Sequence, residues 1–311
     1  MEPSTFFEDE DFLTMAAKDK GLVAVKKKKN ELAPNENPLV RNATLREMYQ
    51  KMVEGRLLEE HLLKLQRKTK GPRLASGMGQ EACRVGLLQG IAAGDVVMES
   101  RADGGTEYLM GVKLPVVLRD AQALVSGSTT KASMGNSDVL LPVVEDADAR
   151  LLAAAGAGLL LKKVGKKSVL VVYVGAGKAT KNTWREVLKF AGRLDLPIIF
   201  AVLPPAAKRK GKDTSARVCE WAQKSGVPGI PVDASDAVAL YRIAQESMGR
   251  IRGDGGPVLI ECIPYQLAVE KKISDTDPIA GLRRFLLGRK ICNAAWMEAV
   301  ETRFRKRLAA I

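Results

Sequence analysis

The sequence predicts a doubly wound α/β fold with a mostly parallel sheet, and three observations predict it. Two continuous apolar, β-branched runs occupy residues 168–174 (Ser-Val-Leu-Val-Val-Tyr-Val) and 197–203 (Pro-Ile-Ile-Phe-Ala-Val-Leu). Such runs suit parallel strands buried on both faces. A single stretch of helical spacing, 183–194, joins them, which makes the two strands adjacent, parallel neighbours. The alternation then continues through helix 216–225, a short strand at 230–232, helix 237–252 and strand 257–263. Doubly wound sheets bind ligands at the carboxyl ends of their strands, so Gly175 and the residues from Leu203 onward mark the expected site.

In chain order, residues 1–40 read as an extension that is partly disordered, ahead of a single domain over 41–311. The extension is acidic at Glu8-Asp9-Glu10-Asp11, basic at Lys26-Lys27-Lys28-Lys29, and then punctuated by Pro34-Asn35-Glu36-Asn37-Pro38. A helix begins after Asn42 or Thr44 and runs through Leu65, because Leu45, Met48, Tyr49, Met52, Leu58 and Leu62 recur at helical spacing. A second helix spans 80–91 and stops at Gly94-Asp95. Residues 112–150 look irregular, with connecting loops at Ser126-Gly127-Ser128-Thr129-Thr130 and Gly135-Asn136-Ser137-Asp138. Ala153-Ala154-Ala155-Gly156-Ala157-Gly158 predicts a helix smooth enough to pack closely on another helix, and a subunit boundary is one place for it. Gly175-Ala176-Gly177 is a turn after the first long strand, and Gly253-Asp254-Gly255 a turn between helix and strand.

Composition narrows the class. The 311 residues are 46% hydrophobic, enough for a large core, yet only 5% aromatic, so aliphatic side chains carry the packing. No apolar run reaches the roughly 20 residues of a membrane helix. Met1-Glu2-Pro3-Ser4 lacks secretory features, and Cys83, Cys219, Cys262 and Cys292 have neither metal nor disulfide spacing, so a cytoplasmic location is expected. The net charge of +13 sits largely in local runs such as Lys162-Lys163 and Lys208-Arg209-Lys210. Without interleaved aromatics these read as solvated loops and helix ends, and nucleic acid is not an expected partner.

The order and spacing of several short motifs carry a family resemblance. Gly79-Gln80-Glu81-Ala82, Gly94-Asp95-Val96-Val97 with Ser100-Arg101, Gly175-Ala176-Gly177, Leu196-Pro197, Gly226 to Asp233, Gly256-Pro257-Val258-Leu259-Ile260-Glu261 and Asp277-Pro278-Ile279 follow one another in that order. Over about 43–310 the chain resembles the α subunit of the thiamine-diphosphate-dependent 2-oxo acid (pyruvate and branched-chain) dehydrogenases. The resemblance implies a sheet of the thiamine-diphosphate-binding type. It implies an oxidoreductase family that decarboxylates 2-oxo acids with a lipoyl disulfide as acceptor. It also implies a β-like partner chain, or a second copy as a homodimer.

In that family Mg²⁺ bridges the cofactor's diphosphate, held by an Asp and an Asn. The matching positions here are Ala176 and Pro205, neither of which offers a side-chain oxygen. Arg101, Gly175, Gly177 and Lys178 remain as a vestigial diphosphate cradle, with Lys178 able to replace part of the metal's charge. Ser100 and Asp103 stand where the family has Tyr and His, and the segment from Tyr265 to Asp277 is too short for the family's closing loop. The sole histidine, His61, lies in the first helix, so no imidazole general acid–base is expected at the site. The expectation is a degenerate homologue that binds no cofactor and no metal, with a structural or regulatory role. The alternatives are an active subunit with an altered cofactor site, and a basic anion- or nucleic-acid-binding protein on the same fold.

Overall fold

Five parallel strands set the frame: β1 (Val96–Met98), β2 (Leu170–Gly175), β3 (Ile198–Leu203), β4 (Gly229–Asp233) and β5 (Val258–Ile263), in the order β1-β2-β3-β5-β4. Each neighbouring pair is parallel, and β2 registers on β3 from Leu170↔Ile198 to Gly175↔Leu203. The computed structural model describes residues 36–37, 39–69, 76–99, 105–126, 140–165, 167–204, 218–264 and 277–311. Asn35–Ile311 form one compact unit, while the predicted extension falls almost wholly outside the described residues.

Alternation along the strands divides the core into two layers. Leu170, Val172 and Val174 of β2, with Ile198, Phe200 and Val202 of β3, face α5 (Ala147–Val164), α6 (Lys181–Arg193) and α7 (Val218–Lys224). Val171, Tyr173, Ile199 and Ala201 face the other way. That second layer holds α1 (Asn42–Arg67), α2 (Glu81–Leu88), α4 (Leu114–Val125), α8 (Ala237–Arg252), α9 (Pro278–Gly288) and α10 (Ala294–Ala309). Topology explains the division. From β1 to β4 the chain advances across the sheet, and then it steps back to insert β5. Right-handed crossovers put the returning helix, α8, on the opposite face.

Local sequence explains the individual helices. Thr180 caps α6 by accepting from Thr183 N, and Trp184, Val187, Leu188 and Ala191 form its buried stripe at i, i+3, i+4 and i+7. Asp146, Asp236, Asp277 and Asn293 cap α5, α8, α9 and α10 in the same manner. α1 is enclosed along most of its length by α2, α9, α10, α4 and the short helix α3 (Gly105–Leu109).

Several expectations need correcting. Residues 112–126 are not irregular: Lys113-Leu114-Pro115 opens α4, whose proline sits in the first turn where its missing N–H costs nothing, and Leu114, Val117, Leu118, Ala121 and Val125 bury one face. The second helix ends at Leu88 rather than 91, and β1, only three residues long, had too little pattern to be read. The Ala/Gly-rich stretch does form a helix, the middle of α5, and it packs on α6 as well as on the sheet. A Cβ at Gly158 would lie 2.5 Å from Ile198 Cδ1, whereas one at Gly156 would meet nothing within 4 Å. Loops 127–130 and 135–138 lie outside the described residues.

Candidate functional site

The carboxyl ends of β2 and β3 are joined by Ala176 N donating to Leu203 O at 2.8 Å. Beyond them, Gly175 to Lys178 forms the predicted turn, closed by Lys178 N to Gly175 O at 3.1 Å. Gly177 has φ +68°, a left-handed conformation that glycine adopts without strain. The Ala176 methyl is half-buried against the α5/α6 layer. The Lys178 stem folds back over Gly175, its Cγ 3.1 Å from where a Cβ there would stand, and the residue is exposed. Thr180 N donates to Asp148 Oδ1 at 2.8 Å, tying the start of α6 to the first turn of α5.

Two lysines flank this turn, and Asp148 brings a carboxylate to it. α6 has no acidic residue in its first turn, Lys178 precedes it, and Lys181 lies 5.7 Å from the centre of the Trp221 ring. A helix amino terminus flanked by lysines attracts anions. No side chain from 175–178 or from Leu203 and Pro204 contributes a carboxylate or amide oxygen. Arg101 and Pro205, the other two predicted positions, lie outside the described residues, as do Ser100, Asp103 and the segment after Pro264. Gly175, Gly177 and Lys178 are thus together in one turn, and His61 sits half-buried on α1.

A polar network behind the strand ends was not foreseen. Pro204 O accepts from Gln80 Nε2 at 2.6 Å, and Gln80 Oε1 accepts from Arg84 Nη2 at 3.3 Å. Arg84 is buried, pairs with Glu99 at 2.5 Å, donates to Thr106, and lies 5.9 Å from the Tyr173 ring centre. Arg56 donates to Glu81 and, through both terminal nitrogens, to Asp277 at 3.2 Å, so α1, α2 and the start of α9 are bound together. Glu59 accepts from Gly77 N and Ser76 Oγ. The signal available in the sequence was Gly79-Gln80-Glu81-Ala82. It marked the segment but not its partners.

Burial sets the titration of this network. It pushes the Glu59 carboxyl up, against the opposing pull of Arg84 and Ser76. Burial would also raise Asp277, but the hydrogen bonds and charge of Arg56 more than offset it and hold that carboxyl low. Glu261 of β5 accepts from Val218 N and Cys219 N and so caps α7 from the sheet. Burial, followed by Glu261, pushes the Cys219 thiol up, and burial also raises Cys292, so neither offers a ready thiolate. Among the described residues no group of His, Cys, Asp and Glu could hold a metal ion, and no helix is long and apolar enough to cross a membrane.

The structure is a doubly wound parallel α/β sheet with a glycine turn and a helix amino terminus at its strand ends, the end at which sheets of this class bind ligands. Residues 49–269 match the family described as Dehydrogenase E1 component, and the chain belongs to that family. It is 25% identical over 296 residues to the pyruvate dehydrogenase E1 component subunit alpha of Mycoplasma genitalium, covering 89% of this chain and 82% of that protein. The subunit of the same name from Bacillus cereus is 26% identical over 319 residues, covering 95% and 83%. That from Staphylococcus aureus is 25% identical over 279 residues, covering 82% and 74%. The chain is thus a homologue of 2-oxo acid dehydrogenase α subunits, as its motifs led one to expect.

Proposed function

We infer that this chain is a non-catalytic α-type subunit with a structural or regulatory role in a cytoplasmic 2-oxo acid dehydrogenase-like assembly. The carrying observation is the donor set at the strand ends. A hard divalent cation needs oxygen ligands in near-octahedral array. The turn offers the Ala176 methyl, the Pro204 carbonyl is engaged by Gln80, and an ammonium at Lys178 stands beside the position. Pro205 has no side-chain oxygen to add. Magnesium-bound thiamine diphosphate therefore does not fit these residues. Arg101, Gly175, Gly177 and Lys178 are the remnant of its cradle and still suit a small anion such as phosphate. The partner is a β-like dehydrogenase subunit, a second copy of this chain, or both.

Calorimetric titration with thiamine diphosphate and Mg²⁺, with and without a β-like partner, tests the reading. The expected outcome is no measurable binding at physiological concentrations, and micromolar affinity or 2-oxo acid turnover at a site containing this chain defeats it. Restoring both ligands by Ala176→Asp and Pro205→Asn is expected to leave the chain inactive, because no imidazole is supplied.

Lys178 and Lys181 favour a second reading, an active subunit in which ammonium groups replace the metal's charge. It requires thiamine diphosphate to bind without Mg²⁺ and to be lost in Lys178→Glu, which the same titration reads.

A further inference from the structure

The core around α1, α2 and α3 holds more acid than base. Glu54, Glu59, Glu81, Glu99 and Glu107 are all buried there, and Arg84 is the buried cation beside them among the described residues. Arg84 is committed to Glu99, Thr106 and Gln80. Half-buried Arg56 divides itself between Glu81 and Asp277. Glu54 accepts from Gln50 Nε2 at 2.9 Å and from the Tyr108 hydroxyl at 2.7 Å. Glu81 is only half satisfied. Its Oε1 accepts from Arg56 and from Gly79 N at 3.1 Å, but its Oε2 is buried without a hydrogen-bond partner among the described residues. The residue as a whole is 6% exposed. A buried carboxylate oxygen costs stability unless a donor reaches it.

There is room for a donor. Glu81 lines a small cavity together with Met52, Gly55, Glu59, Gly77 and Leu109, and the space suits one water-sized group. Gly55 marks the same space independently. It is buried in the middle of α1, yet a Cβ there would meet nothing within 4 Å. Lys51 also lines the cavity, but its ammonium is held by Glu47 at 2.9 Å and by Gln89 Oε1 at 3.1 Å. We propose that the cavity is a binding site for a small ammonium ion, which donates to Glu81 Oε2 and to Glu59. Charge selects a cation over water, because the buried side chains around the cavity are acidic in excess. Chemistry selects a hydrogen-bond donor over a metal ion. Two carboxylates that already accept from Arg56, Ser76 and Gly77 cannot complete an oxygen shell, whereas N–H to carboxylate bonds are charge-assisted on both sides. The bound ion bridges α1 to α2. It thereby steadies the helix start at Gln80, which holds the strand end at Pro204. The inference stands apart from whether thiamine diphosphate binds.

Thermal melting of the purified full chain near neutral pH tests it, in the chlorides of ammonium, potassium and tetramethylammonium at equal ionic strength. The midpoint is expected to stand about 2 °C or more higher in ~100 mM ammonium than in tetramethylammonium, which is too large to enter. Potassium, of similar size but no donor, is expected to give a smaller rise. Gly55→Ala puts a methyl into the cavity. It is expected to keep the circular dichroism of the wild type and to lose the ammonium-specific rise. Glu81→Gln keeps an oxygen for Arg56 but removes the charge, and is expected to weaken ammonium binding about tenfold or more. Should that variant fail to fold, Gly55→Ala decides alone. The proton line of isotope-labelled ammonium is expected to broaden with wild type and not with Gly55→Ala. Equal midpoints in ammonium and tetramethylammonium, an equal rise in potassium, or an ammonium response that survives Gly55→Ala overturns the proposal. None of these results bears on cofactor titration, so the two readings fail separately.

Discussion

The two faces of the sheet are built from different materials. On the side of α5, α6 and α7 the buried layer is mostly aliphatic and aromatic, with Trp184 set edge-on to Phe200 at 6.0 Å, and the buried charges of Arg150 and Glu261 there are bonded to backbone groups. On the side of α1, α2 and α8 the core is interrupted by buried Glu54, Glu59, Glu81, Arg84, Glu99 and Glu107. A dry layer resists pH and suffers from cavities. A layer containing paired charges suffers most when one partner is removed, because the other is left desolvated. The polar layer is also the one that reaches the strand ends, through Gln80 and Pro204.

Removing one side chain from each layer tests the contrast at its largest. Arg84→Met leaves Glu99 and Glu59 without their buried cation and is expected to cost about 3–5 kcal/mol at neutral pH. That loss should shrink as pH falls and protonation removes the uncompensated charge. Trp184→Ala is expected to cost a similar amount, about 3–5 kcal/mol, with no pH dependence. Urea denaturation at several pH values measures both, and a flat profile for Arg84→Met would break the distinction.

A smaller and sharper comparison lies within α5. Gly158→Ala drives a methyl to 2.5 Å from Ile198 Cδ1 and 2.7 Å from its Cγ1, so it is expected to destabilise the fold by about 1 kcal/mol or more. Gly156→Ala fills open space and should stabilise the isolated chain by about 0.5–1 kcal/mol through helix propensity. Opposite signs from the same substitution two residues apart would separate the face already covered from the face still bare.

The gentlest tests titrate the polar layer. The Glu59 carboxyl is raised in the folded state, so its contribution is fully present below the unfolded value of about 4.3 and is lost as pH rises through the folded value. Glu59→Gln should remove that decline from the stability–pH curve. Asp277 has the opposite sign: held low by Arg56, it contributes above about 3.9 and loses its contribution as pH falls through the folded value. Asp277→Asn keeps the cap on α9 and should cost no more than about 1 kcal/mol near neutrality, the worth of a part-exposed pair.

The dry layer was largely legible in the sequence, and the polar layer was not. Continuous runs such as Val169 to Val174 and Ile198 to Leu203 declare buried parallel strands by themselves, and the 3.6-residue stripe of Trp184, Val187, Leu188 and Ala191 declares α6. The pairing of Arg56 with Asp277 spans 221 positions, and that of Gln80 with Pro204 spans 124, so no local pattern announces either. At the site the turn from Gly175 to Lys178 could be read in advance because its residues are contiguous. The network behind it could not, since each member looks like an ordinary polar or charged residue until the fold brings its partner.

Strand order carries a consequence for how the protein is made. β5 lies between β3 and β4, yet it is the last strand to be synthesised. Until Val258–Ile263 have left the ribosome, β3 presents an open edge of unpaired backbone groups and β4 has no neighbour at all. Open edges invite pairing with other chains. A nascent chain halted anywhere before β5 would therefore hold two halves of a sheet that cannot meet, and it would depend on chaperones or on rapid completion to avoid aggregation.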